Sequence, residues 1–119
     1  MAKRKISVED GQEALAAVVG GSTARAEVAT AVRFLLEDLA ELAPGNSVEV
    51  RVPPFGATQC VQGPRHTRGT PPNVIEMDPA TWIALATGAL EWEEALDTAR
   101  VIASGSRANL DGLLPFARH

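Results

Sequence analysis

Residues 23–43 constrain the fold of this chain more than any other part of the sequence. Apolar residues recur there every three or four positions, whereas Arg25, Arg33 and Glu37 occupy other faces. This spacing predicts a long amphipathic helix whose apolar stripe must be buried against another element. The turn sequence Pro44-Gly45-Asn46 ends the helix.

The apolar period changes after this helix. Val48 and Val50 alternate with Glu49 and Arg51 in residues 47–52, an alternation that is typical of a half-buried strand. Further strands are predicted over residues 57–62, 73–77 and 100–104. Further helices are predicted to begin at Ser7, at Asp78-Pro79, near Glu91 and after Ser106, the last with Leu110, Leu113 and Leu114 on one face. The chain is therefore predicted to be α+β, with helices covering a small sheet.

Composition excludes several classes of protein. The sequence has 119 residues, 45% of them hydrophobic, and shows no internal repeat. These values predict a single domain over residues 1–119, with residues 1–7 as a flexible basic N-terminus. A net charge of −4 argues against a general nucleic-acid binder, because such proteins neutralise phosphates.

The apolar runs are too short to span a bilayer, and the basic start is not followed by the apolar stretch of an export signal. A single cysteine, Cys60, cannot form an intrachain disulfide, which indicates a reducing compartment. We therefore expect a cytoplasmic protein without stable membrane insertion. The oligomeric state stays open, a homodimer included.

Catalytic and metal-binding patterns are absent from the sequence. Cys60 and His66 are the nearest approach to a nucleophile with a base, and we expect them to be a core thiol and a loop histidine that do not meet. Cysteine and histidine spacings match no zinc site. We predict no catalytic residues, no metal and no cofactor; an enzyme would require the fold to bring Cys60 and His66 together.

The proline-rich loop 63–72 is the segment best suited to polar recognition. Its prolines restrict the conformation, and Arg65, His66 and Arg68 are donors for an anionic or hydroxylated head group. Arg51 joins them if its strand turns that face toward the loop. The alternative is a rigid loop that connects two strands.

The apolar stripes have two interpretations. They form either an ordinary core or the wall of a groove for an apolar ligand, and periodicity places the same residues inside in both cases. The predicted apolar wall comprises Val48, Val50, Ile75, Trp82, Ile83, Leu96, Leu113 and Phe116.

Several motifs resemble the small bacterial sterol carrier family found in actinobacteria. They are Pro53-Pro54-Phe55-Gly56, Gly63-Pro64-Arg65-His66-Thr67-Arg68-Gly69-Thr70-Pro71-Pro72 and Asp78-Pro79 with Trp82 and Gly88. The resemblance extends over about residues 8–116. The Asp-Pro…Trp…Gly…Ala…Ser-Gly pattern that begins at Asp78 also resembles the C-terminal domain of maleylpyruvate isomerase-like enzymes. The resemblance implies a mixed sheet of four to five strands under helices, with an apolar cavity for lipid and no catalysis.

Two functions follow as hypotheses. In the first, the chain binds or transfers a lipid or other apolar small molecule between sheet and helices, with the predicted apolar wall around its chain and Arg51, Arg65, His66 and Arg68 at its head group. In the second, the same fold has a filled core and binds a protein partner through loop 63–72.

Overall fold

The computed structural model describes residues 4–63 and 73–117. It confirms an α+β fold with a mixed sheet of four strands. In chain order the elements are α1 (Val8–Val19), α2 (Arg25–Leu42), β1 (Val48–Val52), β2 (Gly56–Cys60), β3 (Asn73–Met77), α3 (Pro79–Thr87), α4 (Trp92–Asp97) and β4 (Val101–Ser104). None of these helices is long and apolar enough to cross a bilayer.

The strands lie in the order β2-β1-β3-β4. β1 pairs in parallel with β3, while β2 and β4 pair antiparallel at the two edges. Cys60 and Asn73 both lie opposite Val48, on its two sides. The connection from β2 to β3 therefore begins and ends at one end of the sheet.

The sheet has one buried face. Val48, Val50 and Val52 are fully buried, whereas Glu49 and Arg51 between them are only half-buried. This is the alternation expected of a strand with a core on one side. Helix α2 packs beside β2 and also contacts α1 and α3, so the helices lie on the buried face.

Local capping explains where the helices begin and end. Ser7 Oγ accepts a hydrogen bond from the Asp10 N–H at 3.1 Å, and Asp78 Oδ1 accepts one from the Thr81 N–H at 2.7 Å. Both are N-cap contacts, and they satisfy N–H groups that the helix leaves unpaired. Gly88 ends α3 in a left-handed conformation with φ of 89°, which favours glycine.

The prediction of a helix after Ser106 is wrong: residues 105–107 and 111–113 form bends and turns, and the rest of residues 105–117 is irregular. Asn109 Oδ1 accepts a hydrogen bond from the Asp111 N–H at 2.8 Å, and Gly112 has φ of 91°. Both features favour a turn over a helix. The N–H groups of Phe116 and Ala117 donate to the Ala86 carbonyl at 3.0 and 2.9 Å, which fixes this segment against α3.

Helices α1 and α2 meet at Gly11 and Phe34. The Phe34 ring is 2% exposed, and a Cβ on Gly11 would lie 2.1 Å from the nearest ring atom. A side chain is therefore sterically excluded at position 11, although alanine favours helix formation.

We expect Gly11→Ala to lower the free energy of unfolding by about 2 kcal/mol, because overpacking outweighs the gain of up to about 1 kcal/mol in helix propensity. Urea denaturation measures this loss. Gln12→Ala, at the exposed neighbouring position, is the control and should change stability little. A Gly11→Ala protein as stable as the parent would contradict the close contact.

Candidate functional site

Five residues of the predicted apolar wall lie in the tightly packed interior. Val48, Val50, Ile75 and Trp82 are 0% exposed, and Ile83 is 7% exposed. A side chain with no exposed surface borders no space that a water molecule can enter. The layer between the sheet and the helices is therefore filled around these residues.

The other predicted wall residues lie elsewhere. Leu96 is 40% exposed on α4 and does not lie in the interior. Leu113 and Phe116 are half-buried and pack against the core from the C-terminal segment. The rings of Phe116 and Trp82 are 5.9 Å apart between centroids, within the range of favourable aromatic pairs.

The predicted polar mouth is described only at Arg51. Arg51 lies on the less buried face of the sheet, and its Nη2 is 3.3 Å from Glu49 Oε1. Val48, which pairs with Cys60 and Asn73 at the two ends of the connection between β2 and β3, lies three positions from Arg51 along β1, a distance of about 10 Å. Arg65, His66 and Arg68 lie outside the described residues, so their role stays a prediction.

Hydrogen bonds fix Val61 and Asn73, which flank the proline-rich loop. Asn73 Nδ2 donates to the Ser47 carbonyl at 2.8 Å, and Asn73 Oδ1 accepts from the Arg107 N–H at 2.9 Å. Ser47 Oγ donates to the Val61 carbonyl at 2.7 Å. Asn73 thereby links β1 to the turn after β4. This cluster cannot be predicted from the sequence, because an asparagine at the start of a strand belongs to no distinctive sequence motif.

A cleft opens between α2 and the β2 edge of the sheet; we call it the α2–β2 cleft. Its volume is about 460 Å³, which lies within the range of small-molecule sites. Ile6, Leu36 and Phe55 supply apolar surface, while Lys5 and Arg33 supply positive charge. Thr30, Glu37, Gly56, Ala57 and Thr58 complete the lining.

Gly56 contributes to the space in this cleft. A Cβ at position 56 would lie 3.3 Å from Leu36 Cδ1 and 3.8 Å from Arg33 Cγ. Any larger side chain there would project into the gap between β2 and α2. The hairpin that carries Gly56 is held to α2 by Arg33, whose Nε donates to the Phe55 carbonyl at 2.7 Å.

We call residues Arg4–Ile6 the N-terminal strap; its Lys5 and Ile6 form one wall of the cleft. The N–H groups of Lys5 and Ile6 lie 3.2–3.3 Å from the Glu37 carboxylate oxygens. Arg4 Nη1 donates to Asp38 Oδ1 at 2.6 Å. The Arg4 guanidinium also lies 5.1 Å from the centre of the Phe34 ring. Residues Arg4–Ile6 of the terminus thus contact α2, and Ser7 caps α1. The flexibility of residues 1–7 stays a prediction.

A second hollow, of about 370 Å³, lies between α1 and α2. Its lining includes Asp10, Glu13 and Glu27, and it shares Lys5 and Ile6 with the α2–β2 cleft. Its surface is mostly acidic and polar, so it is a poorer site for an apolar chain.

Cys60 ends β2 on the buried face. Burial raises the pKa of the Cys60 thiol to about 11, because the buried surroundings disfavour the thiolate. At neutral pH the group is a protonated thiol, which is a weak nucleophile. Its candidate partner, His66, lies outside the described residues. No cluster of metal-binding side chains occurs within residues 4–63 and 73–117.

A comparison with known sequence families identifies a matching family. The family described as "Bacterial SCP ortholog", where SCP denotes sterol carrier protein, matches residues 24–116, well over half of the chain. This chain belongs to the bacterial sterol carrier protein ortholog family. None of the curated proteins compared with the chain matches it.

The matched range of this sterol carrier family member contains α2, the whole sheet and the C-terminal segment. Two walls of the α2–β2 cleft therefore belong to the family region. The N-terminal strap and α1 precede the matched range, so the third wall of the cleft comes from outside it.

We expect Asn73→Ala to lower the free energy of unfolding by about 2 kcal/mol, since it leaves a buried carbonyl and an N–H without their partners. Asn109→Ala, which removes one exposed turn contact, is the control and should cost less. Urea denaturation compares the two variants. A loss at Asn73 no larger than that at Asn109 would contradict the proposed link.

The buried thiol gives a second expectation. Native protein at pH 8 should react with iodoacetamide at least about a hundredfold more slowly than protein unfolded in urea, because Cys60 is both inaccessible and protonated. The rate should increase as pH rises toward 11. Mass spectrometry follows the reaction, and equal native and unfolded rates would show that Cys60 is accessible.

Proposed function

We propose that this chain binds and carries a lipid or other apolar small molecule in the α2–β2 cleft. Membership of the bacterial sterol carrier family supports lipid binding or transfer in general. The cleft is the observation that carries the more specific proposal, because it leads from solvent to the buried Leu36 between a helix and the sheet.

The binding energy comes from the apolar surface of the cleft. Each methylene that leaves water contributes about 0.8 kcal/mol, so about ten methylenes buried on Ile6, Leu36 and Phe55 supply the roughly 8 kcal/mol of micromolar affinity, before the free-energy cost of association is subtracted. Thr58 lines the cleft, and Val50 lies opposite Thr58 on the neighbouring strand β1. Val50 is therefore the residue of the predicted apolar wall that a ligand in the cleft would reach first. A longer chain reaches Val50 only if α2 moves away from the sheet.

The proposed activity involves no bond making or breaking. The family supports a carrier role, and the protonated, buried Cys60 is unsuited to nucleophilic attack. The ligand is therefore proposed to leave the cleft chemically unchanged.

The filled interior favours a second candidate, a protein-interaction module that acts through loop 63–72. Because Val48, Val50, Ile75 and Trp82 leave no space, a chain confined to the predicted cavity is not accommodated without movement. In this case a specific partner would be captured by the parent protein and lost when Arg65 and Arg68 are both changed to alanine.

Titration with a fluorescent fatty acid tests the lipid proposal. We expect saturable binding at one site per chain, weakened at least about tenfold by Gly56→Val, which fills the cleft. Gln59→Val is the matched control, because position 59 is exposed three residues along the same strand and does not line the cleft. Circular dichroism confirms that both variants fold.

The absence of a saturable signal from the folded parent protein would remove the lipid proposal. Equal weakening by both valine variants would place the ligand outside the cleft.

A further inference from the structure

Positive charges without carboxylate partners gather at the α2–β2 cleft. Lys5 and Arg33 line it, and the Arg25 guanidinium lies 5.1 Å from the centre of the Phe55 ring, which also lines it. Within the described residues none of the three cations forms an ion pair, whereas Arg4 and Arg51 do. The chain has a net charge of −4, so this local excess of positive charge runs against its overall composition.

The acidic residue in the cleft is already engaged. The Glu37 carboxylate accepts the N–H groups of Lys5 and Ile6 and lies 3.8 Å from Arg4 Nε. Its charge is directed toward the N-terminal strap. The ammonium group of Lys5 and the guanidinium of Arg33 therefore carry the unbalanced charge at the rim.

Donor groups remain available on both cations. Arg33 donates from Nε to the Phe55 carbonyl, which fixes the position of the side chain. Its two terminal nitrogens have no hydrogen-bond partner among residues 4–63 and 73–117. These nitrogens present the forked geometry that matches a carboxylate or phosphate, and an ammonium adds a flexible second charge. The apolar surfaces of Leu36 and Phe55 lie beside these donors.

We infer that the α2–β2 cleft binds a single-chain anionic amphiphile, with its carboxylate or phosphate head group at Arg33 and Lys5 and its chain on Leu36 and Phe55. This inference rests on the proposed lipid-binding function. It adds the charge of the ligand and names the residues that bind the charged head group. The N-terminal strap then contributes directly to recognition through Lys5.

Three probes separate the head group from the chain: decanoate, decan-1-ol and acetate. Calorimetry gives the affinities, and amide NMR shifts give the location. We expect decanoate to shift the amides of Arg33, Leu36 and Gly56, and decan-1-ol to bind about fivefold to tenfold more weakly at the same place. Acetate and inorganic phosphate, which lack a chain, should show no saturable binding.

Charge-neutralising variants test the residues. Lys5→Gln should weaken decanoate binding about fivefold and leave decan-1-ol binding unchanged. Arg33→Gln should weaken decanoate binding by at least about fivefold and decan-1-ol binding less, because it also removes the contact between Arg33 Nε and the Phe55 carbonyl. Arg33→Lys, which keeps the charge, should lose less affinity for decanoate than Arg33→Gln. Arg100→Gln is the matched control, because Arg100 is exposed, unpaired within the described residues and absent from the cleft. Added salt should reduce the preference for decanoate.

The outcomes are distinguishable. Equal affinities of decanoate and decan-1-ol in the cleft would overturn the anionic head group and leave lipid binding intact. Decanoate binding that is insensitive to Lys5 and Arg33, or that shifts other amides, would overturn the site. Saturable binding of acetate or phosphate alone would indicate a simple anion site. Failure of both ten-carbon probes to bind the folded protein would remove the proposed function as well.

Discussion

Burial of α2 is the constraint on which the rest of the structure depends. Val32, Leu35 and Leu39 are each 0% exposed, and α2 contacts α1, α3 and β2 together. Trp82 of α3 adds a direct link, since its Nε1 lies 3.3 Å from the Val32 carbonyl and donates a hydrogen bond to it. The valines of the sheet would be exposed to solvent without α2, and the apolar face of α2 would be exposed without the sheet and α1.

The same packing explains why the open space lies at the sheet edge. Thr30, Arg33 and Leu36 recur at intervals of three along α2 and face β2. Opposite them the strand begins with Gly56, which has no side chain to fill the gap. Further inside, the branched side chains of β1 and β3 close the interface. Available volume therefore decreases from the edge strand toward the middle of the sheet.

Periodicity predicted the parts of the fold that depend on local physics. The strand at Asn73–Met77 and the cap at Asp78 were predicted where they occur, because alternation and capping are properties of neighbouring residues. The prediction of a C-terminal helix is wrong. The spacing of the leucines favours a helix there, but the turn at Asn109 and Gly112 determines the backbone conformation. Apolar spacing alone does not distinguish a helix from a segment pinned in turns.

The candidate site was far less accessible to sequence reasoning. It depends on contacts between residues distant in the chain, such as Arg33 with Phe55 and the Lys5 N–H with Glu37. No spacing rule connects these positions. The central claim is that an apolar chain lies on Leu36 between α2 and β2, and intermolecular NOEs from isotope-labelled protein to bound decanoate test it most directly. The account predicts NOEs from the ligand methylenes to the methyl groups of Leu36 and Thr58; NOEs only to Val48 and Ile75 methyls would contradict it.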